Sequence, residues 1–169
     1  MLRSRPNRVA TLLVGALATV GAMVTAVGPA TAAPTTSYTC NDPLTGVDFL
    51  ASWTGTGASD IIWAQPGSVL VSLGGDDSVY SEIAGPTAIA CLGNGADTFG
   101  NSDLQQSSVG YFRVRGEDGN DNITGGNGND VLVGGKDNDT LVGGPGQDRV
   151  DGGPGVDRCD AEIETNCEF

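Results

Sequence analysis

The sequence predicts an all-β chain wound as a parallel coil, with two nine-residue units to a lap. Three observations carry that expectation. A nine-residue period runs from Gly116 to Asp160, glycine supplies 27 of the 169 residues, and acids outnumber bases 21 to 8. The length suits one domain of ordinary size. Composition also removes whole classes of function. Without histidine there is no imidazole general base, no Ser-His-Asp system and no His-ligated zinc. A formal charge of −13 repels phosphate backbones, so the expected partners are cations and not nucleic acid.

Residues 1–32 are expected to be a cleaved signal peptide. Arg3, Arg5 and Arg8 give a basic start, an apolar stretch runs from Val9 to Val27, and Ala30-Thr31-Ala32 offers small residues for cleavage. A membrane anchor is the competing reading, because the stretch is near bilayer-spanning length. Its Gly, Ala and Thr content and the lack of a following basic cluster weigh against it. Cleavage leaves Arg113, Arg115, Lys136, Arg149 and Arg158, 5 bases against all 21 acids, a net charge of −16. Such a chain repels itself when compact unless something neutralises it. Export also implies an oxidising compartment, where Cys40, Cys91, Cys159 and Cys167 form two disulfides in one of three connectivities. Four buried thiols are the alternative, and the lack of a C-x-x-C pair argues against zinc.

Residues 33–115 read as an N-terminal cap followed by degenerate laps. Asp60, Asp77 and Asp97 each precede an apolar side chain by two places (Ile62, Val79 and Phe99), and each follows a Gly-containing turn. Their spacings of 17, 20 and then 24 to Asp121 are close to an 18-residue lap with small insertions. The segments 69–71, 88–90 and 111–114 supply return strands, and the largest surplus loops out near 101–108. One continuous roll of roughly six laps, from about residue 44 to 160, is expected. A separate small β-sandwich before Gly116 is the alternative.

Residues 116–160 hold the regular units GEDGNDNIT, GGNGNDVLV, GGKDNDTLV, GGPGQDRVD and GGPGVDRCD. The first place is always Gly and the sixth always Asp. The eighth is Ile123, Leu132, Leu141, Val150 and Cys159, which a flexible linker has no reason to keep in register. Six turn-forming places and three strand places alternate, so equivalent turns stack at about 4.8 Å. Asp121, Asp139 and Asp157 then share one edge, and Asp130 and Asp148 the other. Carboxylates that close repel unless a cation bridges them. Calcium takes six to eight hard oxygens, which two carboxylates and turn carbonyls can supply, whereas Mg2+ resists dehydration. An EF-hand fails because no Glu falls at the required twelfth place.

The pattern G-G-x-G-x-D-x-U-x resembles the calcium-binding nonapeptide of the repeats-in-toxin, or haemolysin-type, family. The chain as a whole is similar to small secreted actinobacterial calcium-binding proteins. The resemblance implies a right-handed parallel β-roll with several Ca2+ ions between stacked turns. It implies ligands from Asp121, Asp139, Asp157, Asp130 and Asp148, with Asp118 and Asp137 in the same turns. Backbone carbonyls of Gly116, Gly119, Gly125, Gly126, Asn127, Gly128, Gly134, Gly135, Lys136, Gly143, Gly144, Gly146, Gly152, Gly153 and Gly155 complete the set. The intervals 121/139, 139/157 and 130/148 are the main sites, with weaker ones involving Asp77 and Asp97.

Residues 161–169 read as a C-terminal cap, since repeat folds need protected ends. Positions near opposite ends suggest the pairings Cys40–Cys91 and Cys159–Cys167, so that each disulfide caps an end of the roll. The function expected is a secreted calcium-binding protein that orders on binding calcium. The alternative is a cell-surface or matrix adhesion module with an unknown polysaccharide or protein ligand. An enzyme is not expected: the family's repeats often trail a hydrolase domain, but the segment before Gly116 has no histidine and no G-x-S-x-G elbow.

Overall fold

A computed structural model describes residues 38–65, 67–81, 88–101 and 111–169. The expected signal peptide and nearly all of the expected loop at 101–108 lie outside the described residues. The chain opens with an antiparallel hairpin, β1 (Thr39–Asn41) and β2 (Asp48–Leu50). From there it alternates between two parallel sheets. One carries β3 (Trp53–Thr54), β5 (Val69–Val71), β7 (Ala88–Asn94), β9 (Phe112–Asp118), β11 (Val131–Lys136), β13 (Arg149–Asp151) and β15 (Ile163–Thr165). The other carries β4 (Ile61–Ala64), β6 (Ser78–Ser81), β8 (Thr98–Asn101), β10 (Asn122–Thr124), β12 (Thr140–Val142) and β14 (Arg158–Asp160). Each lap gives one strand to each sheet, so the two sheets form a β-solenoid in keeping with a β-roll. The ladder is unbroken from Trp53 to Thr165, so the segment before Gly116 continues the same solenoid.

The apolar eighth place builds the core. Register pairs Phe99 with Ile123, Ile123 with Leu141 and Leu141 with Cys159 on one sheet, and Val114 with Leu132 and Leu132 with Val150 on the other. All are buried in one cluster between the sheets. Upstream the equivalent places hold Ile62, Val79 and Phe99 on one sheet and Leu70, Ala90 and Val114 on the other, and Phe112, two places before Val114, meets Phe99 edge to face at 5.4 Å. A cross-section this narrow holds roughly one side chain per unit from each sheet, so the turns must supply much of the order.

The hairpin sits elsewhere than an end cap would. Cys91 lies on the outer face of β7, with Val71 and Ile89 beside it, and its disulfide to Cys40 lays the hairpin over that face. Arg113 on β9 reaches fully buried Asp42, and Arg115 donates to Asn41 Oδ1 at 3.2 Å. Burial pushes the Asp42 carboxyl up, but the Thr45 hydroxyl, the Leu44 N–H and Arg113 together hold it below its ordinary value. The first bridge is therefore a side clamp, because alternation along β7 turns Cys91 outward. The second bridge, Cys159–Cys167, does close the C-terminal end.

Candidate metal centre

The turns stack through their aspartates. On the first edge the Asp60 N–H donates to Asp77 Oδ1 at 2.7 Å, Asp77 to Asp97 at 2.8 Å and Asp97 to Asp121 at 2.9 Å. Asp121 continues to Asp139 at 2.9 Å and Asp139 to Asp157 at 2.8 Å. The second edge repeats this from Phe112 to Asp130 and from Asp130 to Asp148, both at 2.7 Å. Among the described residues that edge has no aspartate ladder bond before Phe112. One oxygen of each carboxylate is thus committed to the backbone of the preceding lap.

The other oxygen is not. Oδ2 of Asp77, Asp97, Asp121, Asp130, Asp139, Asp148 and Asp157 is buried without a hydrogen-bond partner. A buried charged oxygen left unpaired is expensive. Burial accordingly pushes the carboxyls of Asp121 and Asp130 up to about 7, against the backbone N–H each accepts, with neighbouring carboxylates adding to the rise. Asp77, Asp97 and Asp139 rise to about 6 for the same first reason, and Asp148 also rises. The Oδ2 of Asp60 is not left open, since it accepts from the N–H and the hydroxyl of Thr56.

Five of the seven free oxygens, those of Asp121, Asp130, Asp139, Asp148 and Asp157, point into a cradle that glycine keeps open, whereas Ser72 and Leu92 hold the corresponding places before Asp77 and Asp97. A Cβ on Gly143 would lie 2.5 Å from Asp148 Oδ2, and one on Gly152 would lie 2.6 Å from Asp157 Oδ2; Gly116, Gly125 and Gly134 are tighter against Asp121, Asp130 and Asp139. The far side of each cradle is a carbonyl from the next lap. Gly134 O stands 2.6 Å from a Cβ on Gly116, Gly143 O 2.8 Å from one on Gly125, and Gly152 O 2.7 Å from one on Gly134. The carbonyls of Gly143 and Gly152 also accept the N–H groups of Gly126 and Gly135 at 2.9 Å, and Lys136 O accepts from Gly119.

Second- and fourth-place glycines are demanded by the neighbouring lap. A methyl on Gly144, Gly146, Gly153 or Gly155 would overlap the carbonyl oxygen of Gly126, Gly128, Gly135 or Asp137, and one on Gly119 that of Gly95. Two units depart from glycine, and Glu117 and Asp137 take φ of +83° and +75° there. The Asp118 carboxylate faces outward and pairs with Lys136 Nζ at 2.7 Å. Asn127 occupies the third place of its turn on the second edge. Among the described residues no three acidic, Cys or His side chains converge on one point. The donor set is a carboxylate plus carbonyls, all hard oxygen, which fits Ca2+ and not a thiophilic metal.

Two sets of residues were missed from sequence. Fifth-place amides form their own ladders: Asn120 Oδ1 accepts the Asn138 N–H, Asn138 Oδ1 the Val156 N–H and Asn129 Oδ1 the Gln147 N–H, at 2.9–3.0 Å. Asn at that place in three successive units was the available signal. The tail residues Glu162 and Glu168 also join the turns, and no period announces them.

The model of the RTX calcium-binding nonapeptide repeat, in four copies, matches residues 113–141 and 125–159. Residues 113–159 are RTX repeats. No curated protein and no solved structure matches the chain. The RTX match covers the laps whose cradles are most regular and stops short of Asp77 and Asp97, whose free oxygens continue the same edge upstream. Calcium binding by a β-roll is what RTX repeats indicate.

Proposed function

We propose that this chain is a secreted calcium-binding protein whose RTX laps become ordered when their turns are loaded, and that it carries out no catalysis. One observation supports this most: seven buried aspartate oxygens without a partner, six of them on carboxyls that burial and stacking push upward. Bound Ca2+ supplies the positive charge that such stacked oxygens lack. The chain's own part is to hold one carboxylate oxygen and the turn carbonyls around a glycine, and to commit the other oxygen to the lap below. Ordering is costly, because 13 glycines lie among residues 116–155 and the core is thin. Metal binding and folding are therefore expected to be one equilibrium. Circular dichroism and limited proteolysis test it: the β-signal and protease resistance should rise sharply from excess chelator to millimolar calcium, and equality between the two states would sink the reading.

A second reading, an adhesion module, has one observation in its favour. Trp63 and Tyr80 stand side by side on the outer face of β4 and β6, with ring centroids 5.3 Å apart.

A further inference from the structure

The last aspartate on each edge has no following lap to donate to, yet its N–H is not left open. Asp157 N–H donates to Glu168 Oε2 at 2.6 Å and Asp148 N–H to Glu162 Oε2 at 2.8 Å. These bonds occupy the place that Asp-to-Asp bonds of 2.7–2.9 Å hold in the interior. Their sequence separations are 14 for Glu162 and 11 for Glu168, against the 18 of the repeat.

The tail backbone imitates a lap as well. Thr165 O accepts from Gly152 N at 3.0 Å, as Val142 O accepts from Gly125 and Asp160 O from Gly143, both at 2.9 Å. Glu168 N donates to Asp157 O at 3.0 Å, as Arg158 N donates to Asp139 O at 2.9 Å. Asn166 O presses on Gly152 where the next lap's first carbonyl presses on Gly116 and Gly134. Asn166 reaches that place with φ of +51°. β15 pairs Ile163 with Arg149, four residues short of where the period would put its strand, and the Cys159–Cys167 bond holds this shortcut to the core. From this shorter path a Glu, one methylene longer than Asp, meets the N–H that an Asp would meet from a full lap. Above this arrangement Asp157 and Asp148 are fully buried, and each has one partnerless oxygen.

We propose that the tail is a substitute lap that completes the last cation site on each edge, Glu168 with Asp157 and Glu162 with Asp148. This rests on the calcium reading above. The competing role is a plain cap, in which the two glutamates only accept hydrogen bonds. Gln separates the two, because it keeps an acceptor oxygen and loses the charge.

The test is calorimetric calcium titration of the full disulfide-bonded chain, with E168Q, E162Q and, as a control, E164Q, whose wild-type residue is exposed and whose carboxylate accepts from Ala161 N within the tail. E168Q and E162Q should each lose one equivalent, or have one site weakened at least tenfold, while E164Q matches wild type. Unchanged stoichiometry and affinity in E168Q and E162Q, with wild type still binding calcium, would overturn the substitute lap alone. A wild-type chain that takes up no calcium would overturn the calcium reading itself. If a Gln variant loses its β-signal in calcium, the decision passes to wild type loaded with paramagnetic Mn2+. Backbone amide signals of Glu162 and Asn166–Glu168 should then broaden like those of the interior turns, and sharp tail signals at saturation would overturn the proposal.

Discussion

Each ladder aspartate does two jobs with two oxygens, and substitutions can separate them. Asp139→Asn keeps an acceptor for the Asp121 N–H while removing a charge from a site that burial makes unfavourable. In chelator this variant should be more stable than wild type, and in calcium less stable, a reversal of sign seen in urea midpoints. The same sign in both conditions would mean that Oδ2 is not where the metal acts. Asp139→Ala also leaves a buried N–H without its acceptor, which costs about 1–3 kcal/mol with or without metal. The sixth-place Asp was legible in the sequence because it never varies across five units. Its division of labour was not, because one-letter spacing says that carboxylates stack but not which oxygen faces which neighbour. The sequence reading places Asp139 in two intervals, 121/139 and 139/157, and in the structure its Oδ1 accepts the Asp121 N–H while its Oδ2 is uncommitted.

Turns are the elements that set the tolerance of this fold. Gly146 has no room for a methyl beneath the carbonyl of Gly128, while nothing lies within 4 Å of a Cβ on Gly57. Gly146→Ala should lower the stability of the calcium-loaded chain by about 1–3 kcal/mol through overpacking. Gly57→Ala should be neutral or raise it by up to about 1 kcal/mol by restricting the unfolded chain. Thermal midpoints in saturating calcium check both, and an equal loss in the two would refute the stacking account. Strands and their register were legible because an 18-residue lap fixes the pairings of the regular units, and the aspartate spacings of 17, 20 and 24 carry the register upstream. The hairpin's place was harder to read, since Cys40 near the start of the chain suggests an end cap. Only the in-out alternation of β7 shows Cys91 facing outward, and that strand lies in a degenerate lap. The tail was opaque for a related reason: Glu162 and Glu168 act at separations that match no period.

Across the whole molecule the raised carboxyls set a direction for pH. Asp77, Asp97, Asp121, Asp130 and Asp139 move from 3.8 in the free residue to about 6 or 7 in the folded chain. Between about pH 4 and 7 the metal-free folded state therefore binds more protons than the unfolded one. Its stability is fullest below the unfolded value and is lost as pH rises through the folded values. In chelator the melting temperature should fall from pH 5 to 7.5. In saturating calcium it should rise over the same range, because protons compete for the oxygens that hold the metal. Parallel slopes in the two series would show that these carboxylates are not the calcium ligands.

The side clamp has a mechanical consequence. A pull applied to the two ends travels through the S–S bond and bypasses everything between Cys40 and Cys91, a separation of 51 residues. At about 3.3–3.6 Å per extended residue, roughly 170–180 Å of chain carries no load while the bond is intact. The first laps are shielded from tension in this way, and stretching the oxidised molecule is expected to unwind it from the laps beyond Cys91, where the RTX repeats lie.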